Sequence, residues 1–181
     1  MHLPTHVLSG WVVASALPGL TPRERGFAMV AATAPDLDGL AIVAGRDAFE
    51  TYHHVLCHNL FFGLLVTAVL TYWSPHRRIA APLYVGLFHL HLLMDSFGSG
   101  RDWGLSYLWP VVRREWMNPL RWDFFSWQNI VAAYGLLLIT VVLAARQGRT
   151  PLETVAPALD RRLVDLARRL GLGSRPTDGG A

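Results

Sequence analysis

The chain has 181 residues, 52% of them apolar and only 16% charged, with a mean hydropathy of +0.29. A soluble domain carries about a quarter charged residues, so disorder, collagen and coiled coil are excluded, and the lone Cys57 rules out an internal disulfide and a four-thiolate zinc site. All 16 basic residues are Arg and they cluster, so the net charge of +3 reads as a membrane-orientation signal and not as affinity for nucleic acid.

Residues 5–20 form a short apolar segment whose Gly10, Pro18 and Gly19 leave open whether it spans, tilts or re-enters. No basic residue precedes it, so it lacks the form of a cleavable signal peptide. Residues 26–45 are apolar apart from Asp36 and Asp38. Pro35 disfavours helix at Ala34 and Gly39 loosens the chain, which predicts a break holding the two acids. Residues 55–73 and 79–94 read as spans that carry His near one end. The loop at 98–126 is rich in Trp: Trp103, Trp109, Trp116, Trp122 and, at its edge, Trp127 read as an interfacial aromatic belt. Residues 128–145 hold no charge and approach the roughly 20 residues that cross a bilayer.

After Gln147, Leu152, Val155, Leu159, Leu163, Leu166 and Leu170 recur at three- and four-residue steps, which predicts an amphipathic surface helix against anionic lipid. The last ten residues have the composition of a disordered tail. The expected fold is therefore all-α: an integral membrane bundle of four to five transmembrane segments plus a C-terminal amphipathic helix. Its membrane domain is 1–146, with 98–126 as the interfacial loop, and 147–181 is the cytoplasmic helix and tail.

Arg placement orients the bundle, since cytoplasmic loops carry the excess of basic residues. Arg23 and Arg25, Arg77 and Arg78, and the group from Arg146 to Arg169 belong on the cytoplasmic side. The chain start, the loop near 46–52 and the Trp-rich loop then face outward, and the C-terminus faces the cytoplasm.

Ionisable groups in apolar helices are costly and by default mark a site. They fall into four groups: His6; Asp36 and Asp38; His53, His54 and His58; His91 and Asp95. Three of these meet the outer face of the expected topology. His54 with His58, and His91 with Asp95, are four apart, the spacing at which one helix face presents two ligands to one point. Imidazole and carboxylate together favour zinc, manganese or iron over calcium. His2, His76 and His89 read instead as interface or hydrogen-bonding residues, and Cys57 as a packed hydrophobe.

These motifs resemble the YdjM-like inner-membrane proteins, a group of membrane-bound, metal-dependent hydrolases. The family pattern has an early His, then Pro-Asp-x-Asp, His-Arg-x-x-Thr-His-Ser, His-x-x-x-Asp and Gly-x-x-x-Leu-Trp-Pro. This chain has His6, Pro35-Asp36-Leu37-Asp38, His53 to Asn59, His91 to Asp95 and Gly104 to Pro110, in that order over residues 1–125. It departs at His54, Cys57 and Asn59, where the family has Arg, Thr and Ser. The resemblance selects His53 with His58, whereas helical spacing selects His54 with His58, and both stay open.

A more distant likeness to the zinc-dependent phospholipase C and nuclease group implies hydrolysis of a phosphate ester. The expectation is a divalent metal, foremost zinc, held by His6, Asp36, His53, His54, His58, His91 and Asp95. Asp38 would act as general base, with Arg101, Arg113, Arg114 and Arg121 guiding an anionic, lipid or lipid-linked substrate. The alternative is a non-catalytic membrane protein that binds, senses or transports metal. A haem protein is a third reading, which the carboxylates disfavour.

Overall fold

The computed structural model describes residues 1–171, so the expected disordered tail lies outside the described residues. In chain order it contains α1 (Leu3–Ala16), α2 (Pro22–Thr33), a run of 3₁₀ turns (Ala34–Ala44), α3 (Arg46–Tyr52), α4 (Leu60–Tyr72), α5 (Arg77–Gly98), α6 (Trp127–Gln147) and α7 (Pro157–Arg169). Among the described residues the nearest approach to a strand is an isolated antiparallel bridge between Leu105 and Trp116.

Local chemistry sets the helix boundaries. Thr21 and Glu24 form a reciprocal capping box, and Pro22 starts α2 where its missing N–H costs nothing. Pro35 cannot donate an α-helical bond, and the chain continues from Ala34 in 3₁₀ turns that carry both Asp36 and Asp38. The break predicted there is present. α4 starts later than the expected span at 55–73, because Asn59 Oδ1 accepts from the Phe62 N–H while its amide donates to the Val55 and Leu56 carbonyls. α6 closes on Gly148 in the left-handed conformation.

Small residues let the helices approach. α1 packs on α2, α2 and α4 on α5, α1 on α6, and α6 on α7. Gly10 faces the Ala28 carbonyl so closely that a Cβ would stand 2.7 Å from its oxygen. Ala14, Ala28, Ala31, Ala32 and Ala80 are buried with Tyr84 and Leu87 in one cluster. Close backbone packing through Ala and Gly is the mode of association available in lipid.

Among the described residues, three helical stretches are long and apolar enough to cross a membrane: Pro22–Ala44, Arg77–Gly98 and Trp127–Gln147. α6 leaves Ile130, Val131, Tyr134, Leu137 and Leu138 exposed, as a face turned to hydrocarbon does. α1 and α4, of 14 and 13 residues, are about 20 Å long and short of a bilayer core of about 30 Å. In α7 the face of Asp160, Val164 and Ala167 is buried, while Leu159, Leu163 and Leu166, and Leu170 just beyond the helix, stay exposed.

The bundle has two polar ends. α2 and α5 both begin at one, where buried Glu24 accepts from the His76 backbone N–H (2.8 Å) and lies 3.0 Å from its Nδ1. His76, expected as an interface or hydrogen-bonding residue, thus has a partner while its side chain stays about half exposed, at 47%. Beside it, buried Arg25 pairs with Glu153 from the segment after α6, and the Trp11 indole donates to the same carboxylate. Asp95 lies about 27 Å further along α5 than Arg77, at 1.5 Å per residue. The His and Asp residues gather at that second end.

Candidate metal centre

Four parts of the chain deliver the cluster: α1 brings His6, the 3₁₀ turns Asp36 and Asp38, the segment before α4 His53, His54 and His58, and α5 His91 and Asp95. His91 and Asp95 meet through helical spacing, with Nε2 and Oδ2 3.2 Å apart. His54 and His58 meet by a different route from the one their spacing predicts. Residues 53–59 are not helical, because the Asn59 cap places the start of α4 after them, and His54 has a φ of 66°. That left-handed backbone turns its ring to within 4.3 Å of the His58 ring centroid.

Asp95 is the hub. One oxygen lies 3.0 Å from His6 Nε2 and accepts from the Met1 amine; the other lies 3.2 Å from His91 Nε2, 3.4 Å from His58 Nε2 and 3.6 Å from His54 Nε2. The His6 ring stacks on that of His91, with centroids 3.8 Å apart. Burial, with the nearby His58, holds the His54 imidazole well below its ordinary value, so the ring is neutral near pH 7 and presents a lone pair.

Asp38 occupies another place. Its Oδ1 lies 2.7 Å from His53 Nδ1, its Oδ2 lies 2.9 Å from His58 Nδ1, and the Cys57 backbone N–H donates to Oδ2 (3.1 Å). It orients two imidazoles, as carboxylates behind metal-bound histidines do. Of the two aspartates, Asp36 is the one with a free oxygen: Oδ1 lies 3.7 Å from His91 Nε2 and Oδ2 is buried without a partner.

Whether these residues fit a cation follows from proton bookkeeping. His58 Nδ1 faces the Asp38 carboxylate and His91 Nδ1 faces the Ala32 carbonyl at 2.7 Å. Both partners only accept, so each Nδ1 carries the hydrogen and each Nε2 turns a lone pair inward. The two Nε2 atoms nonetheless stand 3.2 Å apart, beside an Asp95 oxygen. Three acceptors meeting at one point require a proton or a metal ion between them. Ligands about 2.0–2.1 Å from a tetrahedral ion stand about 3.3 Å from one another, close to the 3.2, 3.4 and 3.2 Å found here.

Ligand atoms of Asp36, His58, His91 and Asp95 all lie within 4.8 Å of one another, and so do those of Asp38, His53 and His58. Asp36 Oδ2, His6 Nδ1 and His54 Nδ1 are buried without hydrogen-bond partners, an omission that costs about 1–3 kcal/mol each unless something binds. The donor set fits a divalent metal.

A cavity of about 240 Å³ reaches this point, lined by Asp36, Phe49, His53, His54, Asp95 and Trp103 among others. Trp103 lies against His53 and His54, with ring centroids 5.2 and 5.3 Å away. It and Trp122, which donates to Asn129 Oδ1 and stacks on Phe97, have internal partners, in contrast to the surface belt expected of all five. Clustering of Trp along the chain cannot distinguish a Trp facing lipid from one roofing a site. The Ala32 carbonyl, fixing the tautomer of His91, has no sequence signal at all.

The order of these residues along the chain has a counterpart among known proteins. The model of the YdjM inner membrane protein family matches residues 1–160. The chain belongs to the YdjM inner membrane protein family. No curated protein and no solved structure matches it. Within this YdjM chain, two of the expected substrate-guiding arginines have partners outside the His and Asp cluster: Arg101 pairs with Asp123 across an exposed 3.6 Å contact, and Arg121 donates to the Arg101 and Asn118 carbonyls. Arg113 and Arg114 are exposed and form no ion pair among the described residues. His89 donates through Nδ1 to the Val85 carbonyl and pairs through Nε2 with the Tyr107 hydroxyl, and Cys57 is a half-buried thiol outside both ligand groups.

Proposed function

We propose that this protein is a metal-dependent hydrolase of a lipid or lipid-linked phosphate ester, with its centre at the outer face of the inner membrane. The carrying observation is the pair of inward-facing Nε2 atoms of His58 and His91 beside Asp95, each fixed in tautomer by an acceptor behind it. Asp36, His58, His91 and Asp95 would hold the ion, zinc suiting the mixed nitrogen and oxygen set, with His6 and His54 in reserve for a second. Bound, it would polarise a phosphoryl oxygen and acidify a water.

The chain's own groups do the rest. Asp36 accepts the proton through its free Oδ2, a role that falls to it rather than to Asp38, whose oxygens already accept from three N–H groups. Asp38 keeps His53 and His58 in register. Trp103 shields the histidines from bulk water. The outward placement rests on the Arg-rich segments at the opposite end of α2 and α5; α1 and α4 would complete a bundle of four to five membrane segments, and α7 would lie on the cytoplasmic surface.

Full-length protein purified in detergent should contain close to one equivalent of a divalent ion and hydrolyse a generic phosphodiester. His58→Ala should lose both. Turnover that survives this substitution overturns the reading. Bound metal without turnover on any phospholipid or phosphodiester would favour the sensing or transport alternative, although the cluster's position near the end of α5 is unlike the midplane sites of transporters.

A further inference from the structure

We propose that a groove on the other side of α5 from the metal centre binds one acyl chain of a membrane phospholipid, with Arg114 against its phosphate. His91 and Asp95 occupy one face of α5. His89, Leu92, Leu93 and Ser96, at i, i+3, i+4 and i+7, form a separate stripe turned by more than a quarter of a circle from it. That stripe and the loop that follows α5 enclose a cavity of about 580 Å³, within the roughly 300–1,000 Å³ of small-molecule sites.

The walls specify the occupant. Leu92, Leu93, Leu105, Leu108, Val112 and Trp116 supply hydrocarbon and indole surface. The polar groups among them are already satisfied internally: His89 Nδ1 lies 2.8 Å from the Val85 carbonyl, its Nε2 2.9 Å from the Tyr107 hydroxyl, and Ser96 Oγ donates to the Leu93 carbonyl. Water would find too few partners there. α5 is one of the helices that can cross the bilayer, so the ligand at hand is a lipid chain. Leu93 and Trp116 are more than half exposed and mark the open side.

One charge remains. Arg114 lines the groove and has no acidic partner among the described residues. Its neighbour Glu115 faces a separate polar pocket with His53 and Trp103. An unpaired guanidinium beside an apolar groove complements a phosphodiester attached to a hydrocarbon chain. The loop forming the outer wall is tied to the metal-centre segment by the Leu60 N–H donating to the Tyr107 carbonyl (2.9 Å) and the Ser106 N–H donating to the His54 carbonyl (3.4 Å). A lipid there would brace the backbone that carries His54. The proposal stands whether or not the protein is a hydrolase.

Native mass spectrometry of the delipidated full-length protein in detergent tests it, with dioleoylphosphatidylglycerol or dioleoylglycerol added back. Wild type should retain one phospholipid per chain and bind it at least tenfold more tightly than the diacylglycerol. Leu93→Trp combined with Leu108→Trp fills the groove from exposed positions and should abolish that retained molecule. Arg114→Gln should weaken phospholipid binding about tenfold and leave diacylglycerol binding unchanged. An unchanged thermal unfolding midpoint and unchanged metal content show that the variants fold. Equal affinity for the two lipids in wild type, or undiminished phospholipid retention in the folded double variant, overturns the proposal. So would a second copy of the chain or detergent alone at the groove.

Discussion

The Nε2 atoms of His58 and His91 face each other at 3.2 Å, while the Nδ1 of each ring is committed to an acceptor, Asp38 for one and the Ala32 carbonyl for the other. Such a pair needs a proton or a metal ion between its rings. The acceptors behind the rings therefore matter as much as the rings. Asp38→Asn keeps the shape but removes the charge that holds two imidazoles, and carboxylates in this position are worth about 10–100-fold in metal affinity. A competition titration with a chromogenic chelator should show a loss of that size, with the helical circular dichroism unchanged. Wild-type affinity in Asp38→Asn would mean that Asp38 does not orient the ligands.

How much of this was legible without coordinates depends on how local the cause was. His91 and Asp95 are one helical turn apart, and Pro35 breaks its own helix, so spacing alone located both. The contact between His6 and Asp95 joins the first helix to the fifth, and no periodicity encodes it; only the cost of placing ionisable groups in apolar segments pointed there. His53 to His58 resisted a helical reading because the deciding residue, Asn59, acts through a cap and a left-handed residue rather than through a pattern. The Arg25 and Glu153 pair was invisible for the same reason as His6.

His54 carries a testable strain. With φ at 66°, a side chain costs about 1–2 kcal/mol that glycine does not. His54→Gly and His54→Ala both delete the imidazole. In metal-free protein the glycine variant should unfold at higher denaturant concentration, by about 1 kcal/mol, whereas equal midpoints would show that the turn is relaxed.

The orientation can be read by accessibility. Glu50 lies beside the metal-centre end and Arg78 at the start of α5, at the other end, and both are exposed. In a Cys57→Ser background, Glu50→Cys should react with a membrane-impermeant maleimide from outside intact cells and Arg78→Cys only after permeabilisation. Labelling of both from one side contradicts the outward placement of the centre.

At the other end of the bundle, Arg25 and Glu153 are an ion pair with side chains only 5% and 9% exposed. Removing one partner leaves a buried charge uncompensated, which costs about 3–5 kcal/mol. Glu153→Gln should lower stability by that order. The double variant Arg25→Met with Glu153→Leu should recover most of it, because two apolar side chains carry no unpaid desolvation. A double variant no better than Glu153→Gln would locate the cost in the Trp11 contact with Glu153 instead.

Two helix-interior glycines should respond to alanine with opposite sign. At Gly10 the added Cβ would stand 2.7 Å from the Ala28 carbonyl oxygen, 2.9 Å from the Ala32 Cβ and 3.0 Å from the Met29 Cα. All three belong to α2, whose backbone cannot yield without parting the α1/α2 contact, so Gly10→Ala should destabilise by about 1–3 kcal/mol. At Gly86, inside α5, the same Cβ meets nothing within 4 Å. Gly86→Ala then gains only helix propensity, up to about 1 kcal/mol. Denaturation of both variants in one detergent, followed by tryptophan fluorescence, should place their midpoints on either side of wild type. If Gly10→Ala is neutral, α1 and α2 do not pack as closely as the Gly10 contact requires.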